Sequence, residues 1–228
     1  MTEIGEESFF NCLSLTKIDL PPQLTRISLK TFERCAILSQ VTIPESIKEI
    51  GPYAFADCKA LIKVTIPNAV IIIDDFAFYN CSLLPTISIP SSVEKIGKFA
   101  FGGCEKAKRL TLSKGNLTEI GESAFRRCAI IKSANIPDSL TEISDSMFEN
   151  CQLLNSVTIP NTITRIGKNA FRNCKKLAHI TIPSSVLEVD VDAFHGCIKL
   201  FDVNFESTKT QIKEGAFDDC PNNLNGKK

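Results

Sequence analysis

A cysteine recurs at a fixed interval along the chain: Cys12, Cys35, Cys58, Cys81, Cys104, Cys128, Cys151, Cys174, Cys197 and Cys220, spaced 23 residues apart except for one gap of 24 after Cys104. A period of this size marks a solenoid, because one such unit cannot bury its apolar side chains alone and must stack on its neighbours. Other columns keep the same beat. Three residues before every Cys stands a Phe, from Phe9 to Phe217. Eight before it is Ile or Val, and six and eight after it are apolar residues such as Val64 and Ile66. Seven of the nine residues in that last column are followed at once by Pro.

Unit 59–81 shows the local logic. Leu61, Val64 and Ile66 end in alternation, the pattern of a half-buried strand. Pro67 stops it, because proline cannot donate to a ladder. Val70 and Ile73 enter the core from a second extended stretch. Ala77, Phe78, Cys81 and Leu84 have the spacing of a single inward-facing helical turn. The extra residue of the long unit falls in Ser113–Asn116, where Pro is missing and a Gly-Asn turn appears, a surface position that tolerates insertion. The chain is expected to form one domain over residues 1–228, of about ten units. Residues 1–12 make a partial first unit, and 198–228 a divergent last unit and polar tail. Met1 begins within a unit, which reads as a fragment of a longer array. At roughly 4.8 Å per rung the coil extends on the order of 50 Å.

Leu61-x-x-Val64-x-Ile66 matches the core of leucine-rich repeats, and Ile43–Cys58 and Ile89–Cys104 carry the fuller pattern I-P-x-S-[IV]-x-x-I-G-x-x-A-F-x-x-C. The whole chain resembles the BspA-like class of that family. The resemblance implies a right-handed α/β solenoid with a parallel sheet on one face and short helical turns on the other. It also implies surface or secreted proteins that bind matrix components, host cells or other bacteria. The function expected is non-catalytic recognition of a protein or glycan, of adhesion or surface-antigen type, at the cell surface or outside it. The alternative is an intracellular interaction scaffold, or a structural spacer in a longer array.

Composition narrows the classes. Lys plus Arg and Asp plus Glu are both 26, so there is no global basic field for nucleic acid or anionic lipid. Apolar runs stay as short as Ala69–Ile73, which excludes a membrane-spanning helix. The acidic, polar start Met-Thr-Glu-Ile-Gly-Glu-Glu is unlike a signal peptide. Three readings of the cysteines stand side by side: a ladder of buried thiols, disulfides between rungs, and metal ligation, against which their wide spacing speaks. No metal site and no cofactor is expected. Phosphate-binding, metalloprotease and nucleophile-elbow motifs are absent. His179 and His195 fall in surface columns, and Asp74 and Asp75 read as a solvated turn, so no enzyme is expected.

Two surfaces are candidates for partner binding. The outward strand columns, five and seven after each Cys, hold Lys17, Gln40, Lys63, Arg109 and His179, and Asp19, Thr42, Thr65, Ser88, Thr111, Asn135, Thr158 and Thr181. Solenoids bind through such faces; equally, Thr and Ser simply suit exposed strands. Five before Cys, three successive units carry Tyr53, Phe76 and Phe99, with Ile71 and Ile72 nearby. This apolar patch offers self-association, or else pads the back of the coil. Arg126, Arg127, Arg172, Lys175 and Lys176 make a basic stretch diluted by Glu149. Asn116 is a glycosylation acceptor in a secreted setting, whereas the Asn80 sequon includes a core Cys.

Overall fold

The computed structural model describes residues 3–221. Met1, Thr2 and residues 222–228 of the polar tail lie outside the described residues. The chain coils so that each 23-residue unit makes one rung with three sides, and equivalent residues stand over one another. No helix is long and apolar enough to cross a membrane among the described residues.

The first side is formed by the expected strands. Lys17–Asp19 pairs in parallel with Gln40–Thr42, Thr86–Ile89 with Arg109–Leu112, Ser133–Asn135 with Ser156–Thr158, and His179–Ile182 with Asp202–Phe205. Each pairing is offset by one unit, so polar residues point outward together and apolar ones inward. Residues 63–66 make only one bridge, Gln40 to Lys63. The side is therefore a row of strand pairs, with openings after residues 63–66, after Arg109–Leu112 and after Ser156–Thr158. Pro85 stands at the first opening. In this column Ser39, Ile62 and Lys108 each donate their N–H to the carbonyl one rung back, and proline has none to give. The inserted residue lies beside the second. Nothing in the structure explains the third.

The second side is a further set of parallel strands, each two residues long, in ribbons of five from Arg26–Ile27 to Glu119–Ile120 and of four from Glu142–Ile143 to Gln211–Ile212. The corner before it is fixed by the Ser of the Ile-Pro-x-Ser motif. The hydroxyl of Ser92 donates to Val70 O at 2.7 Å, and that of Ser185 to Ile163 O at 2.7 Å.

The third side corrects the expected helical turn: no helix occurs among the described residues. Instead, consecutive β-turns cover it. In one rung Ala54 N donates to Gly51 O, Ala56 N to Tyr53 O and Cys58 N to Phe55 O. The intervening N–H groups of Tyr53, Phe55 and Asp57 reach the next rung at Asp75, Ala77 and Tyr79 O, 2.7–3.0 Å away. Alternate donors thus close turns and join rungs. The physical reason is a left-handed residue five before and one before every Cys, for example Tyr53 (φ 54°) and Asp57 (φ 57°). A positive φ at the third residue of a turn is the mark of type II geometry, and it interrupts any right-handed helix.

The core is a set of ladders. Successive Phe rings stack with centroids 5.0–5.9 Å apart and planes within 4–15° of parallel. The widest step, 5.9 Å between Phe101 and Phe125, spans the unit with the extra residue. All ten cysteines are free thiols, eight of them buried. Each from Cys35 onward donates its S–H to the Phe carbonyl one rung back, as Cys58 does to Phe32 O at 3.2 Å. Desolvation pushes the Cys35 thiol up to about 11 and raises Cys81, Cys104, Cys151 and Cys174 further.

Candidate functional site

The strand side presents every residue expected on its outer face. Lys17 and Asp19 lie against Gln40 and Thr42, and Lys63 continues the first column across its bridge. Ser88 lies against Thr111, Asn135 against Thr158, and His179 and Thr181 against Asp202 and Asn204. All are exposed. Because parallel strands stand about 4.8 Å apart, these columns form periodic rows of hydroxyl, amide and charged groups. The rows are interrupted at the three openings. At the first, Thr65 and Ser88 flank a cleft of about 460 Å³ whose floor reaches Leu84, Ile87 and Phe101.

The aromatic column closes into a stack. The ring of Phe76 lies 4.7 Å from Tyr53 and 5.0 Å from Phe99, nearly parallel to both. Tyr79 stands edge-on to Phe76 and Phe99 at 5.5 and 6.1 Å. Ile72 sits on the neighbouring short strand between Glu49 and Lys95, with Ile71 before it. These six side chains are half-buried. Phe76 and Phe99 hold left-handed backbone at φ 58° and 52°, uncommon for bulky residues. Other rungs fill that slot with Glu7, Lys30, Ser123, Ser146, Asn169, Asp192 or Gly215.

The remaining candidates are tied into the frame. Asp75 Oδ1 accepts from Lys98 N at 2.7 Å, and Asp74 Oδ1 from Asp75 N at 2.8 Å, so both carboxylates cap a turn. Arg126 pairs with Glu149 at 3.1 Å, Arg127 with Glu105 at 3.3 Å and Arg172 with Asp192 at 3.6 Å, while Lys175 and Lys176 are exposed. His195 lies 3.5 Å from Asp219. Asn116 is exposed in the inserted turn. Asn80 donates to Asp57 Oδ1 at 3.2 Å beside fully buried Cys81.

One feature escapes a reading by motif. Two before Cys, successive rungs carry Tyr79, Gly102 and Arg126. Gly102 leaves a vacancy between a ring and a guanidinium, and a cavity of about 160 Å³ opens there, lined by Tyr79, Asn80, Phe99, Gly102, Gly103, Arg126 and Arg127. The signal lay in the missing side chain of one column, which stands out only once rungs are aligned.

A family-level comparison matches the BspA type leucine rich repeat region over residues 2–131 and 104–224, in six copies. Among solved structures, the chain is similar to a leucine-rich repeat protein of T. pallidum, with 29% identity and a TM-score of 0.66, covering 72% of this chain and 78% of that one. It shares its fold with a leucine-rich repeat protein of Bacteroides ovatus, at 20% identity and a TM-score of 0.54, covering 97% and 80% of the two chains. A comparison with curated proteins gave no significant match.

Proposed function

Because the chain belongs to the BspA-type leucine-rich repeat family, we propose that it is an adhesion or surface-antigen module that binds a protein or glycan through its extended surface. The stacked repeats of this family present an extended surface of the kind that solenoids use for binding. The observation that carries the reading is the register of the strand side: exposed residues such as Thr86, Ser88, Arg109 and Thr111 are held in rows by parallel pairing. A rigid frame that repeats polar groups at constant spacing suits an extended ligand, since little ordering entropy is lost on binding.

The test is surface-plasmon measurement of the whole chain against immobilised matrix proteins and a glycan panel. Lys63→Glu with Arg109→Glu reverses two exposed charges without touching the core. Loss of a wild-type ligand with unchanged melting temperature supports the strand side as the contact. A ligand held equally well by the double variant removes it.

A second reading, an intracellular scaffold, is favoured by one observation. The ten thiols are unbridged and nine donate to a neighbouring rung's carbonyl, an arrangement suited to a reducing compartment. Localisation of the endogenous protein separates the two.

A further inference from the structure

We propose that the vacancy over Gly102 is a subsite for one carboxylated sugar unit of an acidic glycan, an inference that rests on the recognition reading above. Its size comes first. At about 160 Å³ the cavity is well below the roughly 300 Å³ at which drug-sized pockets begin, so it takes a single ring of a larger chain.

Its walls define the ring. Phe99 ends the aromatic stack: Phe76 covers one face at 5.0 Å, and the next rung places only Ser123 in the same column. The ring on that side meets a residue too small to cover it, and Tyr79 stands edge-on beside it. An apolar C–H face, such as a pyranose presents, fits an aromatic wall of this kind.

Its polar groups define the substituent. Arg126 lines the cavity with its side chain partly exposed. Arg127 lines the same cavity. Glu149 and Glu105 each hold the Nη2 of one arginine, so the charge is partly offset while the Nη1 of each is left for a further acceptor. A carboxylate is the acceptor that a guanidinium binds most strongly. A short acidic peptide offers the carboxylate without the flat face.

The rest of the fold tolerates a filled slot, which makes the vacancy testable. The same column holds Glu33, Tyr79, Arg126 and Glu149 in other rungs. The Cβ of a residue replacing Gly102 would lie 3.3 Å from both Tyr79 Cδ2 and Phe99 Cδ1 and 3.4 Å from Phe99 O, so the two rings must shift by a few tenths of an ångström to admit it.

The experiment is calorimetric titration of the full chain with a tetrameric oligogalacturonate, a neutral oligosaccharide of equal length, and a tetraglutamate peptide. The expected result is binding of the acidic sugar at least tenfold tighter than of the other two. Gly102→Leu fills the slot, and Phe99→Asn removes the platform with a residue that Asn169 shows to be accepted at this backbone position. Each should weaken the acidic sugar at least tenfold, with melting temperatures close to wild type. No binding by the wild type, equal binding of the neutral sugar or the peptide, or binding unchanged in both variants overturns the subsite. If instead Lys63→Glu with Arg109→Glu abolishes ligand binding and Gly102→Leu does not, the subsite falls and the strand-side reading stands.

Discussion

The thiol of Cys81 donates to the carbonyl oxygen of Phe55, one rung back, at 3.2 Å. That carbonyl already accepts the N–H of Cys58, so the sulfur satisfies its second lone pair in a place water does not reach. This is the reason for a thiol, where a methyl of similar polarity would otherwise serve. Cys81→Ala should cost about 1–2 kcal/mol, the sum of one weak hydrogen bond and a small cavity, read as a lower urea midpoint with an unchanged slope.

Burial sets the pH response of the thiols from Cys35 to Cys104 and from Cys151 to Cys220. Their neutral form is favoured in the folded state, so above the ordinary thiol value of 9.0 the unfolded chain binds fewer protons than the folded one. Stability is therefore full below pH 9 and falls as pH rises, first through about 11 for Cys35 and Cys220. The slope approaches about 1.4 kcal/mol per pH unit for each thiol involved. Denaturation midpoints between pH 8 and 11 measure it, and a flat profile would contradict the ladder. At neutral pH a thiol reagent should label Cys12 and Cys220, which are partly accessible, before the eight buried residues.

Two phenylalanines two residues apart should respond differently. Phe78 is fully buried in the core ladder, with rings 5.2 Å away on both sides; Phe78→Ala should cost about 3–5 kcal/mol. Phe76 is half-buried, and its stacking is set against left-handed backbone. Phe76→Ser loses three ring pairs, with Tyr53, Phe99 and Tyr79, worth about 0.5–1.5 kcal/mol each, and relieves part of the backbone strain, for a net loss near 1–3 kcal/mol. Equal losses for the two would show the outer stack to be as much a part of the core as the inner one.

The periodic columns announce the solenoid, its strands and its core, because burial dictates them and every rung repeats them. The turns were also legible, in a column easily passed over. One before Cys stand Asn11, Asp57, Asn80, Gly103, Asn150, Asn173, Gly196 and Asp219, the residue types that accept positive φ, with Arg34 and Arg127 the two exceptions. Spacing alone made Ala77, Phe78 and Cys81 look helical, since i, i+3 contacts arise in successive turns as well. The vacancy at Gly102 was harder to see, because a glycine in a variable column says nothing until Tyr79 and Arg126 are known to flank it.

Arg165 is the main electrostatic clasp, within 2.7–3.8 Å of Glu142, Asp145, Glu188 and Asp190. Burial pushes the Asp190 carboxyl up, but the N–H of Val191 and the guanidinium together hold it below the usual 3.8. That stability is present above pH 3.8 and is lost as pH falls through the lowered value. The side chains are partly solvated, so screening limits Arg165→Met to about 1–2 kcal/mol at neutral pH. The gap from wild type should narrow with added salt and on acidification below pH 4.

Pro85 offers a test of whether the strand side is opened by sequence. Among the described residues, Ile62 accepts no backbone N–H from the next rung, while Pro85 itself accepts from Lys108 at 2.9 Å. Lys occupies this column at Lys108, whose N–H donates one rung back, so Pro85→Lys supplies a donor with a side chain the surface already accommodates. The new N–H should pair with the carbonyl of Ile62, draw Thr86–Ile89 onto residues 63–66 and close the cleft beneath Thr65 and Ser88. Hydrogen exchange reads this directly: amides of 64–66, Thr86 and Ser88 should be poorly protected in the wild type, compared with those of Phe55 and Asp57, and slow by at least tenfold in the variant. Closing the cleft also buries Val64 and Ile66, now only half-buried, so the melting temperature should rise. Unchanged exchange in the variant would mean that coil curvature, and not the missing donor, keeps the strands apart.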